Sequence, residues 1–277
     1  MDELDPRLTP AREDLAAAHL EGRVRAARYV EPRRRRAATP TVPLTAEPDA
    51  DAAMTSELLF GEGFDVYDRR EGWAWGQSAR DGYVGWAPGH CLDAPGAAPT
   101  HRVAALAALV FPRPDIKSRP VGALPMGALL AAEAAGEFVR LEAGGFVSRA
   151  WLAPAESREP GWVAVAERLR GVPYLWGGRS PAGCDCSGLL QLARQAAGFA
   201  CPRDSDMQEA APGESPDALA RGDLVFWRGH VGIMLDAETL LHANAHHMAV
   251  AAEPLAEAEA RIAAKGGGPV TARRRWA

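Results

Sequence analysis

The sequence predicts an α+β protein in which a β-rich amino-terminal half precedes a mixed carboxyl-terminal domain. Between residue 41 and about residue 155, short β-type runs alternate with Gly, Pro and Asp turns, and no long helical period is visible. After Pro160 the pattern changes to a helix, a strand-turn segment, a second helix and β-rich sequence to the end. The 277 residues, 47% of them apolar, suffice for two or three packed domains.

Residues 1–40 are predicted to form a helical and basic extension. Thr9 as a helix cap, Pro10 at the first helical position and Gly22 as a stop predict a helix over residues 9–22. The arginine run at residues 33–36 could be a phosphate-binding arm, or a solvated face paired with neighbouring acids. The net charge of −5 and the absence of interleaved aromatic residues favour the second interpretation.

Two modules, residues 41–98 and 99–156, are predicted to follow. Each closes with a Gly-aromatic-Val segment, at residues 82–84 and 145–147, after β-type runs of similar length. This is an internal repeat of two, in which each module has roughly 50 residues. It resembles tandem bacterial SH3-like barrels, so we expect two small β-barrels before the mixed domain at 157–277.

Cys186 is predicted to lie in the first turn of an amphipathic helix. Asp185 and Ser187 are helix-start residues, an apolar stripe follows over residues 189–197, and Gly198 ends it. Unpaired N–H groups and the positive end of the helix dipole favour an anion at this position. That setting activates a thiolate nucleophile and can stabilise a developing oxyanion.

His230 is the candidate base for this thiol. It follows the Arg228-Gly229 turn between two predicted strands, and Gly229 and Gly232 flank it, which favours exposure to a cleft. A third polar group must fix the imidazole tautomer. The candidates on the next strand or its following turn are His242, Asn244, His246 and His247, and spacing alone does not choose among them.

Five ordered motifs resemble the successive signatures of NlpC/p60 cell-wall peptidases. They lie at residues 173–178 (PYLWGG), 185–189 (DCSGL), 202–205 (PRDS), 222–226 (GDLVF) and 230–233 (HVGI). The resemblance implies a papain-like domain with Cys186 as nucleophile, His230 as base and His242 as the third polar residue. It also implies that the substrate is contacted by residues of the peptidase domain, namely Tyr174, Trp176, Asp185, Ser187, Asp204 and Ser205.

The resemblance extends to a subgroup in which SH3-like modules precede the peptidase domain and the first module closes one end of the cleft. A closed cleft requires a substrate with a free amino terminus, whose ammonium needs acidic and hydroxyl partners. Tyr83 and Glu62 of the first module, with Asp204, are the candidates. The implied reaction is hydrolysis of the γ-D-Glu–diamino acid bond of peptidoglycan stem peptides that begin with a free L-Ala.

The remaining features narrow the setting of this enzyme. No basic and apolar leader is visible at the start, so the expectation is a cytoplasmic murein-recycling enzyme without nucleic-acid or membrane partners. Neither a cofactor nor a metal is expected, because Cys184 and Cys186 have no second Cys-x-x-Cys pair. Cys184 and Cys201 are expected to be half-buried. The alternatives are a secreted wall endopeptidase with wall-binding SH3 modules, an inactive binding protein, or an acyltransferase or amidase.

Overall fold

The computed structural model describes residues 4–276. The chain divides into two compact units, Met1–Glu156 and Ser157–Ala277, and the predicted start of the peptidase domain lies at this division. Among the described residues, no helix is both long and apolar enough to cross a membrane.

The amino-terminal unit consists of β-strands and short 3-10 turns. In its first half the strands are β1 (Ala16–Ala17), β2 (Tyr29–Val30), β3 (Arg33–Ala37), β4 (Thr41–Thr45), β5 (Met54–Leu59), β6 (Gly63–Arg70), β7 (Trp73–Ser78), β8 (Val84–Pro88) and β9 (Leu92–Asp93). In its second half they are β10 (His101–Val103), β11 (Ala107–Val110), β12 (Gly122–Pro125), β13 (Leu129–Leu130), β14 (Ala132–Ala135), β15 (Phe138–Leu141), β16 (Phe146–Ser148) and β17 (Leu152–Pro154). The 3-10 turns are Ala18–Leu20, Gly89–Cys91 and Arg149–Trp151.

Seven strands of the first half form one sheet in the order β5-β4-β8-β7-β6-β3-β9, and β1 and β2 form a separate two-stranded sheet. In β6, Phe64 and Val66 are buried, as expected for a strand with one face toward a core. The arginine run is strand β3, paired antiparallel with β6 and β9. Strand β3 therefore belongs to the same sheet as β4 to β9, although it precedes the predicted module start at residue 41.

Two arginines of the run at residues 33–36 form ion pairs. Arg34 binds both carboxylate oxygens of Asp65 on the neighbouring strand β6, and Arg36 donates to Glu142 Oε2 at 2.7 Å. These contacts correspond to the acid-paired face rather than to a phosphate-binding arm.

The helix predicted over residues 9–22 does not form. Ala16–Ala17 instead pairs in parallel with Tyr29–Val30, followed by a single 3-10 turn. Leu15 is fully buried in a cluster with Trp75 and Trp86. The prediction was wrong because burial against two tryptophans outweighs the weak helix preference of an Ala-rich segment.

The second half of this unit forms three small sheets, ordered β13-β10-β17, β11-β12 and β14-β15-β16. They share one apolar core, which includes Val103, Leu130, Val139 and Val147. That this half is a second SH3-like barrel stays a prediction.

The carboxyl-terminal unit is α+β. Its helices are α1 (Trp162–Arg168), α2 (Cys186–Ala196), α3 (Ser205–Ala210) and α4 (Leu255–Ala264). Its strands are β18 (Arg179–Ser180), β19 (Gly183–Cys184), β20 (Leu224–Trp227), β21 (His230–Met234), β22 (Thr239–Asn244), β23 (Ala249–Pro254) and β24 (Ala272–Arg274). The main sheet has the order β23-β22-β21-β20-β24, and helix α2 packs against β21 and β22.

Candidate active site

Cys186 is the first residue of helix α2, as predicted from the sequence. The preceding residue, Asp185, has an extended backbone (φ −90°, ψ −178°) and caps the helix by accepting from the Gly188 N–H at 2.7 Å. A capping carboxylate satisfies one of the orphan N–H groups at a helix start and leaves the others pointing past the first turn. The Cys186 side chain therefore lies where a helix start can stabilise negative charge.

Arg203 fixes the position of Asp185. Its guanidinium donates from Nη1 to Asp185 Oδ1 at 3.0 Å and from Nη2 to Oδ2 at 2.8 Å. It also donates to Ser187 Oγ at 2.9 Å, and the Gly177 N–H donates to Asp185 Oδ2 at 2.9 Å. Arg203 is only 1% exposed, so this bidentate pair is shielded from water.

The environment of the Cys186 thiol opposes its ionisation. Burial, followed by the nearby Asp185 carboxylate, raises the pKa of Cys186 to about 12, whereas hydrogen bonds from the backbone of Val231 and Ser187 act to lower it. Those two backbone groups belong to strand β21 and helix α2. The sulfur thus lies between the helix start and the strand that begins with His230.

His230 begins strand β21 directly after Gly229, whose φ of +74° permits the tight turn from β20. Its Nε2 lies 2.8 Å from Nδ1 of His242 on the neighbouring strand β22. Burial, then the adjacent His242 and Arg261, lower the pKa of His230 to about 3. With Nε2 engaged by His242, Nδ1 is the ring nitrogen left to accept a proton from a thiol.

His242 is fully buried, and its second nitrogen, Nε2, lies 2.6 Å from Glu253 Oε1. His242 pairs with Ala251 across the β22–β23 ladder, so Glu253, two residues further along β23, shares its face of the sheet. Arg261 of helix α4 donates to the same Glu253 oxygen. Burial, and then the charge of Arg261, lower the pKa of His242 to about 3.

Of the four candidates for the orienting residue, His242 is the one that the structure places against His230. The side-chain amide oxygen of Asn244, Oδ1, instead accepts from the His247 backbone N–H at 2.8 Å and lies 3.0 Å from His247 Nδ1. His246 and His247 are exposed and stack edge to face with ring centroids 4.7 Å apart.

One group of side chains in the described chain has the spacing of a metal site. Ligating atoms of His242, His247 and Glu253 all lie within 4.8 Å of one another. The Glu253 oxygen already receives His242 and the Arg261 guanidinium, whose positive charge opposes a bound cation. The site is therefore better suited to hydrogen bonding than to holding a metal.

The other residues of the carboxyl-terminal unit that are predicted to contact substrate differ from one another in burial. Burial, with a contribution from Cys186, raises the pKa of the half-buried Tyr174 to about 12. Trp176 is 65% exposed. Asp204 is the residue before helix α3, which begins at Ser205, and both are partly exposed. Their contacts with substrate stay predictions.

Asp185 and Ser187 are buried, and both are hydrogen-bonded to Arg203. The structure thus gives these two side chains a part in holding the start of helix α2. Substrate contact by them stays a prediction.

Tyr83 and Glu62 belong to the amino-terminal unit and are both buried. Glu62 folds back onto its own turn, where its Oε2 accepts from the Leu59 N–H at 2.9 Å and its Oε1 lies 4.0 Å from Arg80. Tyr83 lies in the turn before β8, and its backbone N–H donates to Asp81 at 3.2 Å. Their predicted roles toward a substrate stay predictions.

Sequence reasoning did not single out Arg203, Glu253 or Arg261. Arg203 could have been found, because it lies within the 202–205 motif and an arginine beside a capping aspartate suggests a bidentate pair. Glu253 and Arg261 carry no local signal, since only the β22–β23 register and the placement of α4 bring them to His242. Cys184 and Cys201, which were expected to be half-buried, are both buried.

Comparison with known proteins identifies an SH3 domain followed by an NlpC/P60 domain. The bacterial dipeptidyl-peptidase SH3 domain matches residues 44–92, and the NlpC/P60 family matches residues 171–261. Dipeptidyl-peptidase 6 of Lysinibacillus sphaericus is 28% identical over 228 residues, which cover 73% of this chain and 84% of that protein. The gamma-D-glutamyl-L-lysine dipeptidyl-peptidase of Bacillus subtilis (strain 168) is 40% identical over 81 residues, 26% of this chain and 27% of that protein.

A solved structure shares the fold. The crystal structure of an NlpC/P60 family protein from Bacillus cereus ATCC 10987 has a TM-score of 0.73 and 18% sequence identity, covering 88% of this chain and 99% of that chain. A thiol at a helix start, beside a strand whose histidine is bonded to a second buried histidine, defines a cysteine peptidase. The chain carries a catalytic domain of the NlpC/P60 type, preceded by an SH3-like domain.

Proposed function

We propose that this peptidase hydrolyses the bond between γ-D-Glu and a diamino acid, diaminopimelate or Lys, in peptidoglycan stem peptides with a free N-terminal L-Ala. The observation that carries the proposal is the presence of a dipeptidyl-peptidase type of SH3 domain and an NlpC/P60 domain in one chain. The Lysinibacillus relative named a dipeptidyl-peptidase matches along 84% of its own length, so the likeness is not confined to the catalytic domain.

Cys186 is the proposed nucleophile. His230 takes the thiol proton at Nδ1 as the sulfur attacks the scissile carbonyl carbon, and the carbonyl oxygen becomes an oxyanion near the amides at the start of helix α2. The protonated His230 then gives its proton to the leaving amine of the diamino acid, which releases that product and leaves a thioester. Water, deprotonated by His230, hydrolyses the thioester and frees L-Ala-γ-D-Glu.

A dipeptidyl-peptidase must recognise the free amino end of its substrate. Asp204, at the start of helix α3, is the proposed acidic partner of that ammonium in the catalytic unit. A charge-assisted hydrogen bond to an ammonium is roughly twice as strong as a neutral one, which makes acetylated peptides poor substrates.

The biological role we propose is recycling of small murein peptides in the cytoplasm. An enzyme that needs a free L-Ala amine acts on released peptides rather than on stem peptides whose L-Ala is still joined to the glycan. The competing role is a secreted endopeptidase whose SH3-like domains bind the wall. Cell fractionation and binding to purified sacculi separate the two roles.

The test of the reaction uses four peptides: L-Ala-γ-D-Glu-diaminopimelate and L-Ala-γ-D-Glu-Lys, each free and N-acetylated. The full chain is expected to release L-Ala-γ-D-Glu, identified by product mass, from at least one free peptide. Equal cleavage of the free and acetylated forms would overturn the amine requirement. Cleavage of intact sacculi, with none of the free peptides cut, would favour the wall endopeptidase.

A further inference from the structure

A line of hydrogen-bonded side chains leads from the candidate base into the interior of the catalytic unit. His230 Nε2 lies 2.8 Å from His242 Nδ1, and His242 Nε2 lies 2.6 Å from Glu253 Oε1. Arg261 completes the line by donating to that same oxygen. Three strands and one helix contribute to it, since these residues come from β21, β22, β23 and α4.

The position of each proton in this line follows from the Glu253 carboxylate, which is the acceptor at its inner end. A carboxylate paired with a guanidinium is ionised and only accepts hydrogen bonds. His242 Nε2 must therefore carry its proton toward Glu253, and the neutral ring then has a bare Nδ1. That lone pair can only accept, so the N–H of the neutral His230 ring is at Nε2 and its lone pair is at Nδ1.

We propose that Glu253, held by Arg261, is a positioning residue that sets the tautomer of His230 through His242. The inference rests on Cys186 and His230 being the catalytic nucleophile and base. Glu253 touches neither reacting atom. It makes Nδ1 of His230 the nitrogen that can receive the thiol proton.

Within this line the Glu253 carboxylate favours the charged form of His230, whereas His242 and Arg261 oppose it. When the S–H bond breaks, the proton moves to His230 Nδ1 and the imidazole becomes an imidazolium. Its Nε2–H then donates a charge-assisted hydrogen bond to His242, and no proton has to pass to Glu253. The carboxylate acts through its negative charge, which favours the imidazolium, whereas the positive charge of Arg261 lowers the pKa of His230 by more than Glu253 raises it.

The pairing of Arg261 supports a role beyond surface stability. On helix α4, Glu257 lies four residues before Arg261, the spacing at which a helical acid and base usually pair. Arg261 instead reaches Glu253, and it bonds the oxygen that His242 uses. His242 itself is fully buried, so without Glu253 its Nε2–H would have no water to replace the lost acceptor.

The test compares Glu253→Gln and Glu253→Ala with Glu257→Gln, an exposed acid one helical turn from Arg261, as the matched control. Long-range proton–nitrogen spectra of the full chain labelled with nitrogen-15 histidine report which ring nitrogens carry protons, without any substrate. We expect His230 and His242 both protonated at Nε2 in the unaltered protein and in Glu257→Gln. In Glu253→Ala we expect this single arrangement to be lost.

Kinetics with the cleaved peptide give the second measurement. Removing the carboxylate is expected to lower kcat by about 10- to 100-fold with little change in KM, as for other residues that orient a functional histidine. Because the negative charge favours the imidazolium, its loss in Glu253→Gln should move the acid limb of the kcat/KM profile to lower pH. If Glu253→Ala does not fold, the isosteric Glu253→Gln decides the question.

Each result supports or overturns the inference. If kcat, the acid limb and the ring protonation of both Glu253 variants match those of Glu257→Gln, Glu253 has no positioning role. In that case the proposed function still stands, provided that Cys186→Ala abolishes cleavage. If the unaltered protein cleaves none of the peptides, the proposed function fails, while the spectra still decide the tautomer inference.

Discussion

The guanidinium of Arg203 holds both carboxylate oxygens of Asp185, at 3.0 and 2.8 Å, immediately before the candidate nucleophile Cys186. One oxygen of that carboxylate also caps helix α2 through Gly188, so the ion pair and the helix start form a single unit. Both partners are buried, and a buried pair is costly to break from one side because the other charge is left without compensation.

Arg203→Met is therefore expected to destabilise the catalytic unit by about 3–5 kcal/mol, the usual cost of removing one partner of a buried ion pair. Urea unfolding of the full chain, followed by the fluorescence of its tryptophans, measures the change. The control is Arg221→Met, because the Arg221–Glu167 pair is largely exposed, with 46% and 33% of the two side chains accessible. That control should cost less than about 1 kcal/mol.

An equal loss of stability in the two arginine variants would show that Arg203 does not hold the helix start. Asp185→Asn adds an independent check, since an amide keeps the shape but loses the charge. We expect its loss to be smaller than that of Arg203→Met, because Arg203 keeps its hydrogen bond to Ser187 Oγ at 2.9 Å.

His242 and Asn244 lie on the same strand, but the structure gives them different partners. His242→Ala should lower kcat by about 10- to 100-fold, because His230 loses the acceptor that orients its ring. Asn244→Ala should lower kcat much less, since its oxygen serves His247 in the following turn. Steady-state kinetics on the cleaved peptide distinguish the two variants. If kcat were nearly unchanged in His242→Ala but strongly lowered in Asn244→Ala, the asparagine would be the orienting residue.

Acid should destabilise the catalytic unit through His230 and His242. The folded protein lowers the pKa of both His230 and His242 from 6.5 to about 3. Between these values the unfolded chain binds protons that the folded protein excludes, so the free energy of unfolding falls as pH drops from about 6.5 toward 3. With two such groups we expect a loss of about 4 kcal/mol between pH 7 and pH 5.

Urea unfolding at the two pH values measures this loss. The double variant His230→Gln/His242→Gln serves as the comparison, because it removes both titrating rings and should show a clearly smaller difference between pH 7 and pH 5. An unchanged difference in that variant would mean that other groups cause the acid sensitivity.

The secondary structure of the catalytic unit was predicted from sequence more closely than that of the amino-terminal unit. Cys186 at a helix start and His230 after a two-residue turn are local features, and helix α2 and strand β21 follow from them directly. The motif containing Arg203 was visible as well, although its ion pair with Asp185 was not. Glu253 reaches His242 only through the pairing of two strands and the placement of a helix, and no local pattern carries that information.

The amino-terminal segment shows the opposite case. Thr9, Pro10 and Gly22 have the chemistry of helix ends, yet residues between them form a strand and a 3-10 turn. The deciding interactions are distant in sequence, since Leu15 packs on Trp75 and Trp86 while the Arg12 guanidinium lies 4.2 Å from the Trp75 ring centroid. Propensity is a weak guide where such tertiary contacts are available.

Gly188, in the first turn of helix α2, has no room for a side chain. A Cβ at this position would lie 2.1 Å from the Gly178 carbonyl oxygen, a backbone atom that cannot swing away. Gly188→Ala should therefore destabilise the protein by about 1–3 kcal/mol or more. It should also lower kcat, because the turn that carries Cys186 must shift. Gly122→Ala, where a Cβ meets nothing within 4 Å, is the matched control and should change neither quantity. Full stability and activity in Gly188→Ala would show that the helix start tolerates displacement from the 173–178 segment, and that its close packing is not what positions the thiol.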